Sequence, residues 1–186
     1  MSGSENSSLI IHRSVMRVLG IDPGSETTGW GVLDGDGRRY RLVEYGTVKA
    51  PASLGFAQRL LKIGAGLEVV IAKHEPQACA VEEAFYANNP KVAIKLGQVR
   101  GVAMYVAARA GLEICEYSPR LVKQTVVGYG NAEKQQVQEM VRLLLTLPGV
   151  PQPHDAADAL AVAICHFHHE GVNQRLIAAQ AGLRRR

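Results

Sequence analysis

The sequence predicts an α/β protein: a mixed five-stranded sheet with helices on both faces. Three observations lead there. Strand-like and helical segments alternate along the chain. Three strand-like runs come first, joined by turns and pairing antiparallel in a row. Later strands are separated by helical stretches. The 186 residues, 47% of them hydrophobic, can bury the core that such a sheet needs.

Residues 18–22 are a short apolar run stopped by Asp22-Pro23-Gly24, which reads as a buried strand entering a turn. Residues 29–33 form the second strand, Asp34-Gly35-Asp36-Gly37 the hairpin turn, and residues 39–48 the third strand. Leu54, Leu60, Leu61, Leu67, Val70 and Ile71 recur at helical spacing over 53–74, with Ser53 as the N-cap. Residues 78–81 are a fourth, central strand ending in Glu82-Glu83. Asn89-Pro90 opens a helix that runs to Ala110 and stops at Gly111. Residues 112–117 are the fifth strand. Ser118-Pro119 opens the next helix, closed by Gly128, and Asn131 caps one over 132–146. The last strong helix covers 155–168. The order βββ-α-β-α-β with further helices matches a ribonuclease-H-like layout.

One domain over 16–170 is expected, without internal repeats. Residues 1–15 read as a disordered lead, with Met16 a candidate start, and 171–186 as a flexible basic tail ending in Arg184-Arg185-Arg186. The apolar run Leu9-Ile10-Ile11 is too short for a signal peptide, and no apolar stretch suits a membrane span. Cys79, Cys115 and Cys165 lie far apart with no C-x-x-C spacing, so they read as buried thiols of a reducing cytoplasm. His166, His168 and His169 lack the matched ligands of a zinc site and read as the polar end of a helix.

Lys and Arg number 21 against 17 Asp and Glu, giving +4 and a pI near 9.1. Mild basicity suits a polyanionic partner without specifying one. Setting four acids aside for a metal leaves 21 positive against 13 negative side chains on the remainder. Lys91, Lys95, Arg100, Arg109, Arg120, Lys123, Lys134 and Arg142 cluster between the fourth strand and the last helix. Most such charges form a solvated face; some are expected on phosphates, with salt-dependent binding.

The chemistry lies in the acids. Asp22 ends the first strand and Glu82 the fourth, and strand ends at a switch in connectivity are where ligands bind in α/β sheets. Asp155 and Asp158 are three apart on a helix and so share a face. Ala159, Ala161 and Ala163 are small enough to let that helix approach the sheet. Each acid has a commoner explanation alone, as turn, strand edge or helix start. Together they require several independent coincidences. Four hard oxygen donors suit Mg²⁺, with Mn²⁺ substituting. Two such ions could activate water and stabilise a leaving oxygen, as phosphodiester hydrolysis requires. Phe85 and Tyr86 follow Glu82, where an aromatic pair could pack inward or stack on an unpaired base.

Five blocks carry a family resemblance: Val18-Leu19-Gly20-Ile21-Asp22-Pro23-Gly24, Ala80-Val81-Glu82-Glu83, Leu96-Gly97-Gln98-Val99-Arg100-Gly101, Val122-Lys123-Gln124-Thr125-Val126-Val127-Gly128 and Asp155-Ala156-Ala157-Asp158-Ala159-Leu160. They resemble, in order, the RuvC Holliday junction resolvases over about 16–170. The resemblance implies a homodimeric, Mg²⁺-dependent crossover junction endodeoxyribonuclease of the bacterial cytoplasm. Such an enzyme makes paired symmetric nicks in four-way junction DNA, in recombination and repair, alongside the RuvA and RuvB branch-migration proteins. Asp22, Glu82, Asp155 and Asp158 would be its catalytic metal ligands. Phe85 would wedge between bases, and Lys123 and Lys134 would lie near the scissile phosphate.

Three readings compete. Gly20-Ile21-Asp22-Pro23-Gly24 with Thr27, Thr28 and Gly29 is similar to the first phosphate loop of actin-like ATPases, but those clamp nucleotide between two such domains. A non-catalytic junction binder would not need four converging acids. A nuclease acting on ribosomal RNA precursors would use the same active-site logic.

Overall fold

The computed structural model describes residues 15–36, 39–83 and 89–183, with side-chain surroundings as far as residue 171. The lead before residue 15, Phe85, Tyr86 and the final arginines lie outside the described residues. The elements run β1 (Met16–Asp22), β2 (Thr27–Gly35), β3 (Tyr40–Lys49), α1 (Phe56–His74), β4 (Ala78–Glu82), α2 (Pro90–Arg109), β5 (Glu113–Tyr117), α3 (Pro119–Val127), α4 (Lys134–Leu144) and α5 (His154–Leu183). The sheet has the order β3-β2-β1-β4-β5. β1, β2 and β3 pair antiparallel, while β4 joins β1 in parallel and β5 joins β4 in parallel. The mixed five-stranded, ribonuclease-H-like arrangement expected from the element order is therefore present.

Side chains alternate along each strand and so divide two cores. Val18 of β1 with Ala78 and Ala80 of β4 face the core shared with α3, α4 and α5. Leu19, Ile21, Cys79 and Val81 face the opposite core, under α1 and α2. Extending the alternation by one residue directs Asp22 and Glu82 to the α5 face. Ile21 pairs with Val81, so the two acids end neighbouring strands side by side.

α5 is the central helix of its layer. Ala156, Ala157, Ala159, Leu160, Ala161, Val162, Ala163, Ile164, Cys165 and Phe167 are all buried. A helix stretch apolar all round belongs inside a core. It lies almost on the backbone of the sheet: a Cβ on Gly20 would sit 2.1 Å from the Ala159 carbonyl, and one on Gly29 would sit 1.9 Å from that of Asp155.

Several local readings are corrected. α5 continues to Leu183, not to 168, so the segment from 171 to 183 expected as a tail has a helical backbone. Gly171 costs only about 1 kcal/mol against Ala, and the following Gln174, Arg175, Leu176, Ala178 and Ala179 are good helix formers. α1 starts at Phe56 with Gly55 at its N-cap. Ser53 stands outside it, in a turn closed by the Leu54 N–H on the Pro51 carbonyl at 3.0 Å. Glu133, not Asn131, is the N-cap of α4, and its N–H donates to the Gln136 side-chain oxygen at 2.8 Å.

Asp34 and Gly35 belong to β2, not to the hairpin turn. Asp34 is buried where three strands meet. Arg17 Nε donates to its Oδ1 at 2.7 Å and Arg41 Nη2 to its Oδ2 at 2.5 Å. The hydrogen bond from Arg17 comes first, and with Arg41 it outweighs burial to hold the carboxyl below its usual range. A lowered carboxyl stabilises the fold above the unfolded pKa and loses that contribution as pH falls through the folded one. Asp34→Asn is expected to cost about 1–3 kcal/mol in urea unfolding at neutral pH. Wild type and variant should converge in acid; a constant gap across pH would contradict the ion-pair account.

Candidate active site

Asp22 leaves β1 into the loop 23–26, which is tied down from two sides. The Thr28 hydroxyl donates to the Gly24 carbonyl at 2.8 Å, and Arg59 Nη1 from α1 donates to the Ser25 carbonyl at 3.1 Å. Glu82 ends β4 beside Tyr117 of β5, and the next N–H, of Glu83, donates to the Tyr117 carbonyl at 2.9 Å. Asp155 and Asp158 occupy the first turns of α5, which begins just after a cis Gln152–Pro153 bond. Gly29 fixes their height: it pairs with Asp22 across β1 and β2, and the Asp155 backbone rests against it. Of the alanines singled out in the sequence, Ala159 and Ala163 meet Gly20 and Ala161 lines the neighbouring cavity; the strand glycines, which sequence reasoning missed, are the other half of the close approach.

The charges act on one another. Burial, then the charges of Glu82, Asp158 and Asp155, push the Asp22 carboxyl well above its usual value, while Lys134 pulls it back. Burial also raises Glu82, against a hydrogen bond with Asp22 and the pull of Lys134 and Lys123. Partial burial and mutual repulsion thus disfavour ionisation of both carboxyls, a cost that a bound cation would relieve. Lys134 Nζ reaches Asp158 Oδ2 at 2.5 Å. Burial opposes its charge, but the hydrogen bond and charge of Asp158, joined by Asp22 and Asp155, hold its ammonium above the usual lysine value. Gln138, one helical turn after Lys134, donates from Nε2 to Asp158 Oδ1 at 3.3 Å. A cavity of about 200 Å³ opens beside the acids, with Glu82, Asp158, Lys123 and Lys134 on its polar side and Pro119, Val122, Val137 and Ala161 on its apolar side.

The structure therefore brings the four predicted acids within electrostatic reach of one another, with Lys123 and Lys134 beside them. The acids are not closed around a common point: among the described residues, no three acidic, His or Cys side chains form a ready cation cage. Lys134 takes Asp158 instead. The donor chemistry still fits a hard divalent cation, which could relieve the repulsion between Asp22 and Glu82 and displace the ammonium from Asp158.

Other predicted positions lie elsewhere. Arg109 pairs with Glu68 at 2.9 Å, Arg142 with Glu139 at 2.6 Å, and Arg100 with Glu116, so these three spend their charge on acids of their own chain. His166 is buried, its Nδ1 3.0 Å from the Tyr117 hydroxyl, and His169 Nε2 lies 3.4 Å from the Thr125 hydroxyl. Burial pushes the Cys79 thiol up to about 12 and the Cys165 thiol to about 11, which suits inert core residues. Among the described residues no helix is long and apolar enough to cross a membrane.

Comparison with known proteins places this geometry. The family model for crossover junction endodeoxyribonuclease RuvC matches residues 18–166. The RuvC of Chloroflexus aggregans is 51% identical over 160 residues, covering 86% of this chain and 98% of its own. That of Rhodopseudomonas palustris is 51% identical over 169 residues, covering 91% of this chain and 97% of its own. The structure of Thermus thermophilus RuvC in complex with Holliday junction substrate superposes with a TM-score of 0.80 at 36% identity, over 85% of this chain and 96% of that one. Neither an ATPase nor a non-catalytic binder accounts for such matches along nearly the whole length of each relative. The chain belongs to the RuvC family of crossover junction endodeoxyribonucleases, enzymes that hydrolyse DNA phosphodiester bonds.

Proposed function

We propose that this endonuclease resolves four-way DNA junctions by paired symmetric nicks, with Asp22, Glu82, Asp155 and Asp158 as its metal ligands. One observation carries the assignment: half-buried, mutually repelling carboxylates from β1, β4 and α5 meet beside two lysines. Mg²⁺ is the expected ion, replaceable by Mn²⁺, with two per site. When bound, these ions would polarise the attacked phosphate and lower the pKa of water. The chain's own residues do the rest. The acids would orient the ions, whose charge would relieve the repulsion among the carboxylates. Lys123 and Lys134 attract the scissile phosphate into the cavity between them. Water adds to phosphorus as the bond to the leaving sugar oxygen breaks.

Two cuts related by symmetry call for two active sites, so the working unit is a homodimer matched to a two-fold junction. RuvA and RuvB are its expected partners in recombination and repair, in the bacterial cytoplasm. Residues 16–170 form the nuclease unit. Phe85 is the proposed wedge between bases at the crossover. Phe85→Ala should lower junction cleavage by about tenfold, the loss of one base stack, and leave Mn²⁺ affinity unchanged. Unaltered cleavage would remove Phe85 from the site.

The test of the function is cleavage of a labelled four-way junction beside linear duplex of the same sequence, with and without Mg²⁺. Paired nicks on the junction alone, dependent on metal, are expected. Equal cutting of the duplex, or cutting in chelator, would sink the proposal.

A further inference from the structure

Gln138 is a buried amide on α4, 3% exposed, and its Nε2 donates to a proposed metal ligand. Burying an amide is costly unless it is hydrogen-bonded, so its direction at Asp158 asks for a reason. Lys134 and Gln138 are four residues apart and share one face of α4. Between them they hold both oxygens of Asp158: Lys134 at Oδ2, Gln138 at Oδ1. The two holders differ in kind. The Lys134 side chain is 58% exposed, on a long stem that can swing to a phosphate. Gln138 is locked in the core between α4 and α5 beside Val137 and Val141.

They also differ in charge. A cation on Asp158 cancels the charge a metal would bind and must leave before the metal enters. A neutral amide fixes the direction of the carboxylate and leaves its full charge in place. We infer that Gln138 is a positioning residue: it holds the Asp158 carboxylate in a metal-ready orientation after Lys134 lets go. The inference rests on the assignment of Asp158 as a metal ligand.

The test is Mn²⁺ titration of the full chain without DNA, read from the paramagnetic resonance of free Mn²⁺. Gln138→Met keeps length and volume but removes the N–H donor. It should weaken Mn²⁺ binding by about 10–100-fold, the usual loss when a hydrogen bond to a metal ligand is removed. The unfolding transition in chelator should not move. On junctions, kcat at limiting Mn²⁺ should fall and saturating Mn²⁺ should restore it, with KM for the junction unchanged. In an Asp158→Asn background the same substitution should have no further effect on Mn²⁺ affinity. Unchanged Mn²⁺ affinity, or an equal loss in both backgrounds, would overturn the inference. If Gln138→Met does not fold, Gln138→Leu carries the test; if neither folds, Gln138 is a folding residue and the inference falls. Equal Mn²⁺ affinity of wild type and Asp158→Asn would instead overturn the metal-ligand reading itself.

Discussion

Asp22→Asn is expected to abolish junction cleavage while raising the thermal stability of the metal-free protein. The two effects share a cause. Asp22 is half-buried and lies within reach of the charges of Glu82, Asp158 and Asp155, so partial burial and repulsion hold its carboxyl well above its usual pKa. With a raised folded pKa, stability falls as pH rises from the unfolded value towards the folded one. At neutral pH the wild type therefore bears a cost that an uncharged amide does not. In chelator at neutral pH the variant should melt at a higher temperature, and the gap should shrink as pH falls towards the ordinary carboxyl range. With Mg²⁺ the order should reverse or level, because a cation that binds only the folded wild type stabilises it. Cleavage should fall by about 10³-fold or more, as when a main electrostatic stabiliser of the transition state is lost, with junction binding retained or tightened. Loss of binding together with cleavage, or a variant less stable than wild type in chelator, would give Asp22 a structural role.

Gly29→Ala should disable the enzyme without touching any group that meets DNA or metal. The added methyl would lie 1.9 Å from the Asp155 carbonyl, a backbone atom that cannot turn aside. α5 must lift or slide at its first turn, carrying Asp155 and Asp158 away from Asp22 and Glu82. Overpacking of this kind costs about 1–3 kcal/mol. A displacement of about 1 Å at a reacting centre costs about 10²-fold in rate. Urea unfolding and single-turnover cleavage of a junction measure the two. Gly149→Ala is the control, because its methyl meets nothing within 4 Å. Full activity in Gly29→Ala would mean that α5 is not held by the sheet at this point.

Much of the site was legible from local pattern. Asp22 and Glu82 were found because a strand that stops at an acid leaves that acid at the sheet's rim, and because hydrophobic runs fix where strands stop. Asp155 and Asp158 were found from helical spacing. Lys123 and Lys134 came from a resemblance to other sequences; their pattern alone did not distinguish them from Arg109 and Arg142, which pair with acids of their own chain. Gln138 is one of three glutamines in one helix segment, and its spacing from Lys134 does not by itself set it apart from the other two.

Local pattern was enough to establish which elements form, their order, and which acids stand at their ends, because these follow from hydrophobic periodicity and from residues that start or stop strands and helices. What depends on distant partners emerged with the folded chain. Folding drew Asp34 out of the expected turn and into the sheet between Arg17 and Arg41. It set α5 against Gly20 and Gly29, and thereby the height of two carboxylates over two others. It gave both oxygens of Asp158 to α4. Ion pairs, close backbone approach and a repelling carboxylate cluster have no local sequence period, because each joins residues that only the folded chain brings together.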